Sequence, residues 1–431
     1  MLQLCFRLAM LLAATLSLAF NNCLGQPVRF ATFNVSLYGN QEGEVLQRLT
    51  TTGDQQASVL AEIIQRAHPD VLLLNEVDYD PNGRLIKLFQ ENYLSVGHNV
   101  SESPVGPAQP VEYPYVFLAP SNTGIHSGAD LDRDGQIERT ARSNTYGADS
   151  WGYGQYPGQY AMAILSRYPI DAAAARTFRT FRWKDMPGAL LPDDSGTTAL
   201  GDWYSAEVLE EFPLSSKSHW DVPIEIDGRT IHVLASHPTP PTYDGPEDRN
   251  GRRNHDEIRF WVDYVSGAEQ SGYIYDDNQK RGGLPADASF VIMGDLNGDP
   301  EDGQGKEGIA RLLASPQLAS VAAPESEGGK QQADLQGGAN ATQTGNPHHD
   351  TIDASDSPGP GNLRLDYVLP SRNLDSVASG VYWPKNSEET FILVGTHPFP
   401  SSDHRLVWMD LSWEEGASAR DTAQPDEPAR K

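Results

Sequence analysis

Residues Ser289–Pro300 read SFVIMGDLNGDP, an apolar run that ends in a glycine and then in polar residues. A short apolar run bounded by turn residues is typical of a strand that is buried on both faces. Gly294 lets the backbone approach a neighbouring group closely, because it has no side chain. The stretch therefore predicts a buried strand with Asp295 and Asn297 at its carboxyl end.

Asp295 and Asn297 are two residues apart, and alternate side chains of an extended segment point the same way. A carboxylate and an amide on one face can together hold a phosphate, an attacking water or a hard metal ion. The same stretch also fits an Asx-type turn, in which the side chain bonds to the local backbone. The sequence leaves both interpretations open.

The same arrangement of an apolar run with polar groups at one end recurs along the chain. The runs are VRFATFNVSL (28–37), VLLLNEV (71–77), YAMAILSRYPI (160–170), RTIHVLASHPTPP (229–241), LRLDYVLPS (363–371) and DHRLVWMDL (403–411). They are too apolar for sheets with one wet face, so mixed sheets covered by helices are predicted, with one helix over Gln55–Ala67. A single carboxylate at the end of a strand is usually only a solvated loop residue. Polar groups at the ends of several strands are harder to explain in this way, and they predict a functional site along one edge of the sheets. The polar groups at these ends are Asn34, Asn75, Glu76, His237, Asp366, Asp403 and His404.

Residues 1–25 differ in composition from the rest of the chain. Arg7 is the single charged residue there, and Leu8–Phe20 is apolar. This pattern predicts a secretory signal peptide at 1–25, with Gln26 as the mature start and a secreted or periplasmic product. The apolar stretch is short for a transmembrane anchor, which needs about 18 residues or more. A lipid on Cys23 is an alternative that the sequence leaves open.

Both cysteines, Cys5 and Cys23, lie in this leader, so the mature chain would contain none. That excludes thiol nucleophiles and thiolate zinc sites, and a chain of this length can bury a sizeable core without disulfides. Residues 26–414 are predicted to form a single domain, followed by a disordered tail at 415–431 and with no segment that spans a bilayer. The domain carries long polar insertions at about 95–157, 182–220, 244–254 and 323–362.

The acidic balance of the chain limits its partners. The formal charge is −27 at pH 7. Such a charge disfavours non-specific binding to DNA or to anionic membranes, which needs a basic surface. It leaves a phosphate substrate open, because a divalent cation and a few arginines can reverse the field inside one cleft.

Three arginines, Arg249, Arg252 and Arg253, follow His237 in a long connection, and a helix is predicted after it over Asp256–Tyr264. Guanidinium groups match phosphate oxygens, so one interpretation is a phosphate-binding loop beside His237. The other interpretation is local pairing with the acidic residues of the same connection. Both stay open.

Residues 128–141 read GADLDRDGQIERTA and are similar to a calcium-binding loop. Asp130, Asp132 and Asp134 alternate, and a glycine follows, as in an EF-hand. The bidentate glutamate expected at the last position is replaced by Ala141. The two interpretations are a structural Ca²⁺ site at these three aspartates and a solvated acidic turn.

Six stretches together resemble a known family. FNVSL, LLLNEVD, SHPTPP, GDLNGDP, RLDYVL and SSDHR have the order and rough spacing of the endonuclease/exonuclease/phosphatase superfamily, over about Val28–Trp413. RLDY at 364–367 followed by SDH at 402–404 is the most specific part of the resemblance. It implies an α/β fold, a four-layer α/β sandwich of two packed mixed β-sheets flanked by helices, with the active site at one edge.

The resemblance implies a divalent cation, Mg²⁺ or Mn²⁺, at one group of residues. Glu76 resembles its main carboxylate ligand, with Asn34 beside it and Asp403 in support. Carboxylate and amide oxygens suit these hard cations and do not suit a soft metal.

The resemblance also implies roles in proton transfer. His404 resembles a histidine that is oriented by Asp366, and His237 matches a second histidine that protonates the leaving oxygen or bonds to a phosphate oxygen. Asp295 and Asn297 are expected to position the attacking water and to bind the phosphate. Whether His404 or Asp295 is the general base stays open at this point.

These features predict an exported, metal-dependent phosphodiesterase of the nuclease-like branch, which hydrolyses its substrate by in-line attack of water. The alternative is a phosphatase or a sphingomyelinase- or phospholipase C-like esterase that acts on a small or lipid phosphate. A non-catalytic binding protein on the same fold is disfavoured, because every catalytic position carries an active residue type. A monomer without an obligate protein partner is expected.

Overall fold

A computed structural model describes residues 26–413 of the chain. The predicted signal peptide and the predicted tail at 415–431 lie outside the described residues. Within the described range, no helix combines the length and the apolar character that crossing a bilayer requires.

The strands and helices of residues 26–413 alternate irregularly along the chain. The strands are β1 (Val28–Leu37), β2 (Val71–Val77), β3 (Tyr115–Phe117), β4 (Ala161–Ser166), β5 (Arg176–Thr177), β6 (His219–Ile226), β7 (Arg229–Ser236), β8 (Ser289–Asp295), β9 (Asp366–Pro370), β10 (Asp375–Val381) and β11 (Val407–Ser412). The helices are α1 (Glu44–Arg48), α2 (Gln55–Ala67), α3 (Arg84–Phe89), α4 (Asn144–Ala148), α5 (Ala206–Leu209), α6 (Arg249–Tyr264), α7 (Ala268–Ser271), α8 (Lys306–Leu313), α9 (Glu327–Gln336) and α10 (Phe391–Val394). A π-helical turn extends α3 over Gln90–Leu94, and 3₁₀ turns lie at Trp183–Asp185, Gly338–Thr342 and Pro347–His349.

The described strands form two mixed sheets. The first has the order β10-β11-β1-β2-β4-β3 and the second has the order β5-β6-β7-β8-β9. The pairs β1/β2 and β7/β8 are parallel, and the other pairs are antiparallel. Helix α2 packs against the first sheet and α6 against the second. This architecture confirms the predicted α/β sandwich of two mixed sheets with helices.

Strand β8 shows why the apolar runs have no polar face. Val291 and Met293 belong to the core that the second sheet shares with the first. Phe290 and Ile292 alternate with them and pack into a second core under α6. Because both faces are covered, every residue of the strand is buried. Burying one such side chain stabilises the fold by about 1.5–3 kcal/mol.

The sequence did not predict the strands that lack an apolar run. β10 is exposed over its first four residues, so its pattern resembles a loop. β6 is buried but contains Asp221 and Pro223, which interrupt any apolar pattern. In contrast, β1, β2 and α2 have the predicted bounds.

Helix α6 begins at Arg249 and not at Asp256 as predicted. Its first turns are rich in polar residues, yet Arg253 and Asn254 are buried. The Asn254 side chain donates to the backbone carbonyls of Thr239 and Leu296, at 2.9 and 3.1 Å. Tertiary partners that no local pattern reveals therefore stabilise this helical start.

The register of the sheets brings polar groups to one edge. Asn34 of β1 pairs with Asn75 of β2, and Asp295 of β8 pairs with Asp366 of β9. Parallel strands end at the same edge of a sheet, and their antiparallel neighbours begin there. The ends of β2, β7 and β8 and the starts of β9 and β11 consequently meet at that edge.

We expect Gly294→Ala to destabilise the sheet strongly. A Cβ atom at Gly294 would lie 1.9 Å from the backbone carbonyl oxygen of Ser236 in β7. Relief would require β7 and β8 to separate, so the free energy of unfolding should fall by about 1–3 kcal/mol or more in thermal or denaturant melts.

Gly53→Ala is the matched control, because a Cβ atom there meets nothing within 4 Å. Its stability should stay within about 0.5 kcal/mol of the wild type. Equal stabilities for Gly294→Ala and wild type would contradict this account of the β7/β8 contact.

Candidate active site

Each sheet contributes half of the candidate site. Asn34 of the first sheet donates from Nδ2 to Oδ2 of Asp295 in the second sheet, at 3.0 Å. Both side chains are buried, with exposures of 0% and 1%. This hydrogen bond joins the two sheets at the edge where the predicted residues meet.

A chain of hydrogen bonds fixes His404. Its Nδ1 lies 2.8 Å from Oδ2 of Asp366, and Oγ1 of Thr351 donates to the same oxygen at 2.7 Å. Thr351 Oγ1 in turn accepts the backbone N–H groups of Leu365 and Asp366, at 2.9 and 3.0 Å. A carboxylate on Nδ1 favours a proton there and leaves Nε2 free to face the cleft. The structure thus brings together the predicted pair, and adds Thr351, which the sequence analysis missed.

Asp295 is the centre of the site. Its Oδ2 lies 3.4 Å from Nε2 of His237 and 3.7 Å from Nε2 of His404. His237 Nε2 is also 4.0 Å from Oε1 of Glu76. The two histidines and Glu76, predicted from separate stretches, therefore surround one carboxylate.

A β-bulge turns Glu76 towards the site. The pairing of β2 with both neighbouring strands shifts register at this residue, and its φ angle is 57°. A left-handed conformation costs a residue with a side chain about 1–2 kcal/mol, so the surrounding structure must hold it. Bulges re-aim side chains at strand ends. The sequence predicted the residue but not the bulge, since VLLLNEV reads as a regular strand.

The two buried histidines differ in charge because their surroundings differ. Burial lowers the pKa of His404, but the carboxylates of Asp366 and Asp295 outweigh it, so this pKa lies well above 6.5. Burial, together with the charges of Lys217 and His404, lowers the pKa of His237 well below 6.5. His404 is therefore an imidazolium at neutral pH, and His237 is a neutral imidazole.

The carboxyl groups of the site are harder to ionise than usual. Burial raises the pKa of Asp295 to about 7, with His404 opposing the rise and Asp366 adding to it. Burial also raises the pKa of Glu76, and the negative charge of Asp403 contributes. Carboxylates in such surroundings are stabilised by any cation that binds among them.

Lys217 is a buried cation beside the site that the sequence analysis missed. Its Nζ donates to the carbonyl oxygen of Pro238 at 3.5 Å, and Nδ2 of Asn297 donates to the same oxygen at 3.1 Å. Its charge acts on Glu76 and His237. Burial lowers the pKa of Lys217. The surrounding SSKSHW carries no motif, so only the tertiary structure shows this lysine.

Asp295 and Asn297 do not share one face of a strand, as the extended interpretation required. Strand β8 ends at Asp295, and Asn297 has a φ angle of 51°. The backbone N–H of Asn297 donates to Oδ1 of Asp295 at 3.0 Å, which is the Asx-type turn. Both residues nevertheless line the same cleft.

The three arginines of the long connection are engaged away from the cleft. Arg249 pairs with Glu247, and Arg252 lies 2.9 Å from Asp193. Arg253 is buried and donates to two backbone carbonyls. These contacts favour the interpretation of intramolecular pairing, because each guanidinium group already contacts a carboxylate or backbone carbonyls.

The acidic loop brings two of its three predicted aspartates into a carboxylate cluster. Oxygens of Asp130 and Asp132 lie within 4.8 Å of each other and of a carboxylate oxygen of Asp149. Asp134 is exposed, and its Oδ1 accepts the backbone N–H of Gln136 at 2.7 Å. The third carboxylate therefore comes from Asp149 and not from Asp134.

The donors around Glu76 suit a hard divalent cation. A carboxylate oxygen of Glu76, one of Asp295 and a nitrogen of His237 lie within 4.8 Å of one another. Asn34 and Asp403 lie beside Glu76, and both act on its pKa. Within residues 26–413, neither Glu76 nor Asp403 forms an ion pair with a lysine or arginine. Acidic oxygens without a cationic partner fit Mg²⁺ or Mn²⁺.

Glu76, Asp295, Asn297, Asp403 and His404 line a cleft of about 1470 Å³. Pro240–Tyr243 and Ser355–Pro360 contribute to its lining, together with His397 and Phe399. Among the described residues that line it, there is no lysine and no arginine. The cleft is therefore wide, and its described lining offers few cationic side chains.

The model of the Endonuclease/Exonuclease/phosphatase family matches residues 31–404. The chain belongs to the endonuclease/exonuclease/phosphatase family. This confirms the predicted resemblance. No curated protein matches the sequence significantly.

Several solved structures are similar to this family member at low identity. An endonuclease/exonuclease/phosphatase from Beutenbergia cavernae DSM 12333 has 16% identity and a TM-score of 0.47, covering 90% of this chain and 72% of its own. Sphingomyelinase C from Streptomyces griseocarneus has 15% identity and a TM-score of 0.42, covering 90% and 99%. A beta toxin mutant from Staphylococcus aureus with bound magnesium ions has 14% identity and a TM-score of 0.41, covering 90% and 99%.

We expect Thr351→Val to impair this phosphoesterase-family site. Valine keeps the shape of threonine but removes the hydroxyl that bonds to Asp366. Activity should fall about 10-fold, and the unpaired backbone N–H groups should cost about 1–3 kcal/mol of stability. Steady-state kinetics and thermal melts measure the two effects. Thr351→Ser keeps the hydroxyl and should restore kcat, and a Thr351→Val enzyme with unchanged kcat would contradict the role.

We expect Lys217→Met to reduce kcat/KM for a phosphodiester by about 10-fold or more, because it removes a buried positive charge beside the reacting centre. Lys330→Met is the control, since Lys330 is partly exposed on α9, pairs with Asp334 and does not line the cleft. A folded Lys217→Met protein with the kcat/KM of the wild type would exclude an electrostatic role.

Proposed function

We propose that the protein is a metal-dependent phosphodiesterase that hydrolyses one compact phosphodiester group, such as a small diester or a lipid head group. The observation that carries this proposal is a cleft that has His404, Asp295 and Glu76 on its lining and, among the residues that the structure describes, no lysine or arginine there. A nucleic acid needs cationic contacts along several phosphates. One phosphodiester needs only the charges at the reacting centre, and His404 and the buried Lys217 lie there.

Glu76, with Asn34 and Asp403 beside it, would hold the cation, for which Mg²⁺ or Mn²⁺ is proposed. When bound, such an ion would neutralise charge on the phosphoryl oxygens and orient the phosphate. The sequence features also support export of the chain, and this part of the proposal rests on the leader alone.

The residues of the chain divide the proton transfers between them. The oxygen of a water forms the new bond to phosphorus while the bond to the leaving oxygen breaks. Asp295 accepts the proton of this water, because its pKa of about 7 makes it a usable base near neutral pH. The imidazolium of His404 donates a proton to the leaving oxygen, and Asp366 holds its ring in place.

The neutral His237 fits the second role that the resemblance allowed. A histidine with a depressed pKa is a poor proton source, so it hydrogen-bonds to a phosphate oxygen rather than protonating the leaving group. Asn297 lines the cleft beside it and can offer its amide to the same phosphate. This division of roles favours Asp295 over His404 as the base.

Hydrolysis of bis(p-nitrophenyl) phosphate by the purified chain tests the proposal. We expect turnover with Mg²⁺ or Mn²⁺ that a chelator abolishes. His404→Gln and Asp366→Asn should each lower kcat by about 100-fold or more. His348→Gln is the control, because His348 bonds to the Ser326 carbonyl outside the cleft lining. Equal rates for wild type and His404→Gln would refute the mechanism, and no turnover would favour a non-catalytic protein.

A substrate panel separates the compact diester from the nuclease alternative. Plasmid DNA, RNA, sphingomyelin vesicles, glycerophosphocholine and a phosphomonoester are compared under the same conditions. We expect compact or head-group diesters to be hydrolysed fastest. Their rates should change little between 50 and 200 mM salt, whereas proteins that contact several phosphates of a nucleic acid lose about 10³–10⁵ in affinity over this range. Faster cleavage of DNA or RNA would overturn the substrate class but not the phosphodiesterase itself.

A further inference from the structure

We propose that Asp130, Asp132 and Asp149 form a structural calcium site that joins the 128–135 loop to the segment beside Lys217. Ligand oxygens of the three carboxylates lie within 4.8 Å of one another. Two oxygens that bind one Ca²⁺ at about 2.4 Å can be at most about 4.8 Å apart. Each pair of carboxylates in the cluster therefore meets the distance limit for sharing one ion.

The buried side chain of Asp149 gives independent evidence that a ligand binds here. It is fully buried, and its Oδ1 accepts the backbone N–H of Leu131 at 2.8 Å. Its Oδ2 is buried and has no hydrogen-bond partner among the described residues. A buried carboxylate oxygen without a donor is unfavourable, and a bound cation would satisfy it.

The charges around the three carboxylates also favour a bound cation. No lysine or arginine of residues 26–413 forms an ion pair with Asp130, Asp132 or Asp149. Nearby Arg133 pairs instead with Asp194. Three carboxylates at this spacing repel one another unless a cation lies among them. All-oxygen ligands at a loop of this kind favour Ca²⁺ over softer ions.

The site would stabilise a segment that packs against the backbone at Ser216 and Lys217. Three residues after Asp149, Gly152 packs so closely that a Cβ atom there would lie 1.8 Å from the carbonyl oxygen of Ser216. Asn122 bonds to the same region, donating to the Lys217 carbonyl and accepting from the Gly152 N–H, at 2.9 and 3.2 Å. Fixing Asp149 therefore also fixes the backbone that carries Lys217.

Calcium-dependent stability of the full chain tests the proposal. Metal-free protein is melted with and without Ca²⁺, and Tb³⁺ luminescence reports direct binding through nearby tryptophans. We expect millimolar Ca²⁺ to raise the Tm of the wild type by about 3 °C or more. Glu76→Gln should keep this rise, which separates the site from the catalytic one and from the proposed function.

Asp149→Asn and Asp134→Asn form the decisive pair. Asp149→Asn should lose the Ca²⁺-induced rise and should melt higher than wild type without metal, because a buried amide avoids repulsion between carboxylates. Asp134→Asn should respond to Ca²⁺ like the wild type, since its side chain faces Gln136. If Asp149→Asn does not fold, Asp132→Asn should weaken Tb³⁺ binding at least 10-fold. No Ca²⁺ response in the wild type, or a full response in Asp149→Asn, would overturn the site.

Discussion

The hydrogen bond between Asn34 and Asp295 depends on how the two sheets pack, and the site depends on it in turn. Asp295 is a carboxylate held almost fully out of water, which is costly unless donors and cations surround it. Asn34 reaches it from the first sheet, and His237 reaches it from the second. His404 precedes a strand of the first sheet but bonds to Asp366 of the second. The packing of the apolar faces behind this edge is therefore what sets the geometry of the polar groups on it.

The sequence predicted the residues of the edge better than their conformation. An apolar run that is covered on both faces must end where its side chains become polar, and this locates Glu76, His237 and Asp295 without any knowledge of the fold. The bulge at Glu76 and the turn at Asn297 depend on neighbouring strands, which a local pattern does not include. For the same reason the pattern could not show Lys217 and Thr351, which reach the site from polar insertions and are recognised only by their contacts.

The same dependence on surroundings gives two histidines opposite properties. The carboxylates of Asp366 and Asp295 raise the pKa of His404, whereas burial and the charge of Lys217 lower the pKa of His237, although His237 also lies 3.4 Å from Asp295. Groups of one residue type that titrate far apart can serve as proton donor and as neutral ligand at one pH. A net charge of −27 would be compatible with a phosphate substrate once the proposed cation at Glu76 adds its positive charge to those of His404 and Lys217. The interior of the site, and not the overall charge, decides what it attracts.

The long insertions also hold charged groups of the site in place, although they lie outside the two sheets. Thr351 lies in the insertion at 323–362, and its hydroxyl fixes Asp366 from outside the strands. Asp149 lies in the insertion at 95–157, and the segment that follows it packs on Ser216, next to Lys217. Each insertion thus supports a charged group of the site through backbone contacts that a loop without fixed structure could not provide. A cation at Asp149 would strengthen one of these supports without touching the substrate, so that stability of the insertion and charge at the reacting centre are physically linked.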